Sequence, residues 1–262
     1  MNAPEFVPFL NNQQNFQDPE VSPRGPRTTE PLPDDVATRN RQLVEAYADD
    51  LYAASAQEIL EWAAEHAPGK IAVTLSMENT VLAELASRYL PEADFLFLDT
   101  GYHFEETLAV ARDVDRRYPQ RLVTATPILS REEQDAAYGP NLYRSNPTAC
   151  CRMRKVEPLA THLSPYAGWV TGLRRADGPT RAKAPALSLD KTGRLKISPI
   201  ITWTLEQTDR FEEEEQLIIH PLTRRGYPSI GCATCTQPVA EGEDPRAGRW
   251  AFSAKTECGL HT

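Results

Sequence analysis

The chain has 262 residues, 40% of them hydrophobic and 25% charged, with 37 acidic against 28 basic side chains and a formal net charge of −9. That length can bury a sizeable core in one large domain or two small ones. The acidic balance argues against a general binder of nucleic acid or anionic membrane, so an anionic substrate would need a local basic pocket.

Along the chain, residues 1–35 are rich in Pro, Asn and Gln, lack periodicity and read as a disordered tail. This start lacks the basic segment and apolar run of a signal peptide. Leu43, Ala46, Tyr47 and Leu51 recur at helical spacing over 38–54, and Ile59, Leu60 and Trp62 over 57–66, until Pro68-Gly69 breaks the pattern. Short apolar runs at 71–76, 95–100 and 122–127 read as buried strands, with helices expected over 78–89 and 105–117 between them. Strand–helix–strand–helix–strand predicts an α/β fold, a parallel sheet flanked by helices. Such sheets bind ligands at the carboxyl ends of their strands, which points to the turns at 76–79 and 99–103. The helix N-terminus after the first turn suits a phosphate.

Further on, a helix is expected from near Cys150 to Leu163 and a strand over 169–173. Leu187–Leu189 and Leu195–Ile197 read as a hairpin about Lys191-Thr192-Gly193. Thr204 and Gln207 fit a capping box opening another helix, whose FEEEEQ run is expected to be a solvated face rather than a binding site. No run approaches the ~20 apolar residues of a membrane span. A cytosolic location is expected, where thiols stay reduced.

Chemistry-bearing residues become dense after Gly226. Of the five cysteines, four form the pairs Cys150-Cys151 and Cys232-Ala-Thr-Cys235. Four thiolates hold either zinc or an iron–sulfur cluster. Adjacent cysteines are awkward around one tetrahedral ion, whereas a cubane offers each sulfur its own iron, so the pattern tips toward a cluster. Zinc and inert buried cysteines are the alternatives. The fifth, Cys258, lies in Lys255-Thr-Glu-Cys-Gly-Leu-His261. A neighbouring Lys or His⁺ favours the reactive thiolate, so Cys258 is either a nucleophile or a spare surface cysteine. Basic residues cluster beside these motifs: Arg152, Arg154 and Lys155; Arg174, Arg175 and Arg181; Arg224 and Arg225; Arg246 and Arg249. Guanidinium forks match phosphate and sulfate oxygens.

Taken together, LDTGYH (98–103), CCRMRK (150–155), TGLRR…TR (171–181), GCATC (231–235) and ECGLH (257–261) resemble the assimilatory adenylyl-sulfate (APS) reductases. The related phosphoadenylyl-sulfate (PAPS) reductases share the nucleotide fold and the ECGLH tail but lack the two cysteine pairs. The resemblance runs from about Val36 to the end. It implies an adenine-nucleotide α-hydrolase-like fold with a flexible C-terminal catalytic segment. The implied organisation is a tail (1–35), a nucleotide-binding α/β domain with the first cysteine pair (36–230), and a C-terminal segment with the second pair and the catalytic cysteine (231–262).

The same resemblance implies a [4Fe-4S] cluster on Cys150, Cys151, Cys232 and Cys235. Cys258 would take the sulfonyl group as an S-sulfonate, and thioredoxin or a similar dithiol protein would release sulfite. Substrate contacts are implied for Ser76, Lys155, Gly172, Arg181, Arg246, Arg249 and His261, the last either tuning the thiol or standing as a solvated terminal histidine. The expected partners are APS and thioredoxin, with no nucleic acid or membrane, and a homo-oligomer is left open. The phosphate loop departs from the pattern: many relatives carry Ser-x-Gly-x-Glu-Asp, whereas this chain reads Leu75-Ser-Met-Glu-Asn-Thr80 and keeps only Ser76. Two competing readings are a PAPS reductase, which needs an added basic contact for the 3′-phosphate, and a non-catalytic zinc-binding interaction module.

Overall fold

The computed structural model describes residues 31–255 together with Glu257, Gly259 and Leu260. Helix α1 (Asp34–Tyr47) follows Pro33 and carries Asp34 and Asp35 in its first turn, where acidic groups complement the helix dipole. It thus starts inside the stretch expected to be tail. It also ends before Ala54, giving way to a separate 3₁₀ turn, Asp50–Ala53. Helix α2 (Ala56–His66) is opened by a reciprocal capping box between Ser55 and Glu58.

Strand β1 (Ile71–Leu75), helix α3 (Val81–Tyr89), strand β2 (Asp94–Leu98), helix α4 (Glu105–Arg117) and strand β3 (Leu122–Ala125) follow in the expected order. Helix α3 begins at Val81 rather than at 78. Met77 takes a left-handed conformation (φ 60°), and the Asn79 side chain accepts from the Val81 N–H at 3.3 Å, so the loop turns once more before the helix starts. Two short helices, α5 (Arg131–Tyr138) and α6 (Leu142–Ser145), were not anticipated. The first is opened by Ser130 and Glu133, a capping box present in the sequence.

The helix expected from Cys150 to Leu163 is composite: α7 (Pro147–Cys151), a π-type turn over Arg152–Val156, and α8 (Glu157–Leu163). The wide turn is closed by the Glu157 N–H donating to the Arg152 carbonyl, five residues back. Pro158 has no N–H to donate to a preceding carbonyl, which favours irregular winding here. Strands β4 (Gly168–Val170), β5 (Leu187–Leu189) and β6 (Leu195–Ile197), then helix α9 (Leu205–Glu214), complete the regular elements.

The six strands form one sheet in the order β3-β2-β1-β4-β6-β5. All neighbours run parallel except the β5–β6 hairpin. In register, Val73 faces Phe95 on one side and Val170 on the other, and Val170 faces Ile197. Both faces are covered. Val73, Leu75, Phe95 and Phe97 pack into the main core with α2 and α3, while Ala72, Leu96 and Trp169 face Leu159 and Leu163 of α8. No helix among the described residues is long and apolar enough to cross a membrane.

Candidate active site

The chain runs from β1 outward to β2 and β3, then returns to place β4 on the other side of β1. Crossovers leave β1 in opposite directions, and in open α/β sheets the crevice at such a switch point binds ligands. A cleft of about 280 Å³ lies there. Thr74, Ser76 and Asn79 line it from the end of β1, Leu98, Thr100 and His103 from β2, and Thr171 and Gly172 from β4. Leu82, Leu96, Leu159 and Trp169 make its walls apolar, and Ser229, Arg246, Arg249 and Leu260 line it from the C-terminal part of the chain. A Cβ on Gly172 would meet Leu82 and Ile200 at 3.4 and 3.9 Å, ordinary contacts, so the bare backbone here thins the wall rather than relieving a clash.

A second, smaller cavity adjoins it. Cys150, Cys151, Cys232 and Cys235 all line this cavity with Tyr102, Arg154, Lys155, Arg249 and Trp250. The four cysteines are buried, no disulfide links any two of them, and they share one apolar cluster with Tyr102, Leu142 and Trp250. Backbone bonds seat the second pair: the Ala233 N–H donates to the Tyr102 carbonyl at 2.7 Å and the Trp250 N–H to the Cys235 carbonyl at 2.9 Å. Thr100 Oγ1 lies 3.3 Å from Cys232 Sγ. The Cys150 thiol is pushed up to about 12 by burial and then by the negative charge of Cys151, Cys232 and Cys235. Burial raises the Cys235 thiol as well, against the charges of Lys155 and Arg249. Four buried sulfurs around one cavity are a donor set that a multiply charged cationic group would suit. Among the described residues, no three His, Cys, Asp or Glu side chains converge as ligands of a single ion.

Three side chains, Lys155, Arg249 and Trp250, line both cavities. Lys155 is placed by the π-type turn that follows Cys150-Cys151 and is buried. Its charge acts on both His103 and Cys235. Arg249 stacks near Trp250, with Cζ 4.8 Å from the ring, and donates from Nη1 to Ser229 Oγ at 3.1 Å. Its buried Nε has no hydrogen-bond partner among the described residues. Arg246 is held below its ordinary pKa, first by burial and then by the like charges of Arg249 and Arg181. Cations crowded into a half-apolar cleft favour an anionic ligand.

The other basic residues near the motifs have different work. Arg154 is buried, donating to Gln134 Oε1, the Thr100 carbonyl and the Ser130 carbonyl, and it lies over the Tyr102 ring. Arg174 pairs with Asp177 and donates to Thr208 Oγ1, Arg175 packs over Tyr52, Arg152 pairs with Glu157, and Arg225 pairs with Glu106 at the surface. Arg181 does line the cleft, but it faces carboxylates: Nε and Nη2 donate to Glu257 at 3.0 and 2.6 Å, and Nη1 donates to Asp177 at 3.3 Å.

Cys258 and His261 lie outside the described residues. Two groups in the cleft, and a third beside it on Arg181, were not singled out from the sequence. Glu78 accepts from the Ile230 N–H at 3.0 Å and so ties the loop after β1 to the segment before Cys232. His103 lines the cleft with its Nε2 2.9 Å from the Leu98 carbonyl and a buried Nδ1 without a partner among the described residues. Burial, with Lys155 nearby, keeps that ring neutral, so Nε2 carries the proton and Nδ1 presents a lone pair. The third, Glu257, adjoins Cys258 in sequence. His103 and Glu257 stand within the LDTGYH and ECGLH motifs, but the charges that act on them, Lys155 and Arg181, come from far along the chain, as does the Ile230 N–H that Glu78 accepts.

Comparison with known proteins agrees with this geometry. Residues 70–238 match the phosphoadenosine phosphosulfate reductase domain. The adenosine 5'-phosphosulfate reductase of Streptomyces coelicolor is 48% identical over 236 residues, covering 90% of this chain and 97% of that protein. The enzyme of the same name from Mycolicibacterium smegmatis is 47% identical, covering 84% and 94%. Among solved structures, phosphoadenylyl-sulfate reductase from Candida auris superposes with a TM-score of 0.60 at 24% identity, covering 81% of this chain and all of that one. A Candida glabrata FMN adenylyltransferase superposes at 0.52 with 16% identity, covering 81% and 79%, which extends the likeness of fold to another nucleotide-binding protein. The chain belongs to the phosphoadenosine phosphosulfate reductase family.

Proposed function

We propose that this protein reduces adenosine 5′-phosphosulfate to sulfite and AMP in assimilatory sulfate reduction, with a dithiol protein of the thioredoxin type as reductant. The observation that carries this reading is the shared wall: Lys155, Arg249 and Trp250 border both the nucleotide-sized cleft and the cavity of the four cysteines. The relatives named adenosine 5'-phosphosulfate reductase, matched over most of their length, support the substrate.

In the first half-reaction the Cys258 thiolate attacks the sulfonyl sulfur. The S–O bond to the phosphate breaks, AMP leaves with that electron pair, and Cys258 carries an S-sulfonate. In the second, a thioredoxin thiolate attacks the Cys258 sulfur and sulfite leaves with the S–S electron pair. The second thioredoxin thiol then resolves the mixed disulfide, so the dithiol supplies the two electrons. An anionic nucleophile approaching an anionic sulfonate needs fixed positive charge at the reacting group, which Lys155, Arg246 and Arg249 are placed to supply. Ser76 and the backbone at Gly172 lie at the strand ends where the nucleotide would sit.

Cys150, Cys151, Cys232 and Cys235 would hold a [4Fe-4S] cluster, for which four buried sulfurs around one cavity are a fitting donor set. Bound there, it would either polarise the substrate through its charge or hold the two cysteine segments in place. Reduced cysteines in such a site fit a cytosolic protein.

The test is sulfite release from APS and PAPS, compared side by side with anaerobically purified protein, thioredoxin and its reductase. Preference for APS is the expected result, and Cys258→Ser should abolish the S-sulfonate while leaving iron content intact. Preference for PAPS would overturn the substrate assignment, and adduct formation by Cys258→Ser would remove the nucleophile.

A further inference from the structure

The guanidinium of Arg181 sits in the cleft but carries two carboxylates. Glu257 takes Nε and Nη2 in a two-pronged pair at 3.0 and 2.6 Å, and Asp177 takes Nη1 at 3.3 Å. Both partners of the Arg181–Glu257 pair are well shielded, with side chains 11% and 19% exposed. With Nε, Nη2 and Nη1 all donating to carboxylates, Arg181 is committed to the protein's own side chains, while Asp177 also holds Arg174 at 2.8 Å and Glu257 lies 3.7 Å from Arg246. Lys155, Arg246 and Arg249 also line the cleft, and Arg249 Nε is buried without a partner among the described residues.

Glu257 directly precedes Cys258, and the chain beyond is also seated. Leu260 lines the cleft and packs against the cluster of Leu159, Leu163 and Trp169. Gly259, at φ +85°, has a backbone that a side chain would strain, with Val156 within 3.7 Å of a Cβ placed there. An ion pair on one side of Cys258 and an apolar contact on the other are two fixed points bracketing that residue in sequence.

From this we infer that Arg181 and Glu257 form a positioning pair that anchors the C-terminal segment at the cleft and sets where Cys258 can react, while the substrate's anionic groups are taken by Lys155, Arg246 and Arg249. Arg181 then acts on the reaction through Glu257 and not by binding substrate. The inference rests on the reading of Cys258 as the nucleophile. A shielded, bidentate arginine–carboxylate pair has the directionality such a task needs, and small losses of position cost large factors in rate. Arg246 Nη2, 3.7 Å from Glu257 Oε2, borders both the pair and the anion site.

The experiment uses the full-length, iron-loaded protein and the variants Glu257→Gln, Arg181→Gln and the double variant. Three quantities are measured: alkylation of Cys258 by iodoacetamide, followed by peptide mass spectrometry; the AMP dissociation constant; and the single-turnover rate of S-sulfonate formation from APS. Glu257→Gln should speed alkylation about fivefold and slow adduct formation about tenfold, with AMP affinity within about twofold of the parent. Arg181→Gln should do the same, and the double variant should be no worse than either single one, as coupled partners require. Unchanged alkylation in Glu257→Gln would overturn the inference, and so would AMP binding several-fold tighter, which would make Glu257 a stand-in for substrate phosphate. Because alkylation is read without turnover, a parent protein that forms no adduct from APS would count against the proposed reaction and leave the anchoring result to be judged separately.

Discussion

Arg249 lies against Gly231 so closely that a Cβ at position 231 would sit 2.3 Å from Nη2 and 2.6 Å from Cζ. The glycine of the GCATC motif is therefore what lets this guanidinium lie flat between the cleft and the cysteine cavity. Gly231→Ala should displace the tip of a flexible side chain and little else. Folding and iron content should stay near the parent, while the KM for APS rises about tenfold with the loss of a positioned cation. An unchanged KM, measured alongside iron analysis, would show that Arg249 does not hold substrate from this position.

Lys155 borders both cavities and is buried. Lys155→Ala should lower kcat/KM for APS by about 10²-fold, the size expected for losing a charge aimed at the reacting group. Stability in a thermal melt should fall by far less than activity does. If instead the melt collapses and residual activity tracks the folded fraction, the lysine is a structural cation.

Glu212 on α9 is buried, and its carboxyl is raised to about 7 by burial first and then by Asp209 and Glu78. A carboxyl that titrates higher in the folded state than in the unfolded chain favours folding while it is protonated. That contribution is fully present below about pH 4.5 and is lost as pH rises toward 7. Glu212→Gln removes the penalty, so it should stabilise the protein by up to about 3 kcal/mol at pH 8 and by almost nothing near pH 4.5. Denaturant titrations at the two pH values read the difference directly. Equal gains at both would mean that charge is not the cause.

Arg194 is 2% exposed. It donates to the carbonyls of Leu163, Ser164 and Tyr166 at 2.9, 2.9 and 3.1 Å and to Thr192 Oγ1 at 2.7 Å. It thereby joins the carboxyl end of α8 to the β5–β6 hairpin. Arg194→Met keeps much of the bulk but strands these acceptors, and should cost about 2–4 kcal/mol. A midpoint shift in urea without a change in slope would register this as lost stability. A loss under about 0.5 kcal/mol would mean water replaces the donors.

Much of the architecture was legible along the chain because it depends on local pattern. Apolar runs beginning at Ile71 and Phe95 make strands where both faces are covered, the second strand starting one residue earlier at Asp94. Ser55–Glu58 and Thr204–Gln207 cap helices through neighbours three residues apart, and the Lys191-Thr192-Gly193 turn closes a hairpin between strands at the positions their composition marks. The starts of α1 and α3 differ from those the apolar spacing predicts, for a related reason. Spacing of apolar residues finds the middle of a helix, while its first turn depends on backbone choices such as the left-handed Met77.

The sequence by itself determined the kinds of chemistry present: two cysteine pairs, a lone terminal cysteine, and clusters of basic side chains inside an acidic chain. Only the tertiary structure decided which of these meet. It placed Cys150 and Cys151 in one cavity with Cys232 and Cys235, left Lys155, Arg246 and Arg249 facing the cleft, and gave Arg154, Arg174 and Arg175 to internal bonds. It also paired Arg181 with Glu257. The reason is physical. Local patterns act over one or two turns of backbone, whereas the role of a charge depends on whether packing turns it toward a carboxylate, a carbonyl or the cleft, and that is set by segments far apart in the chain.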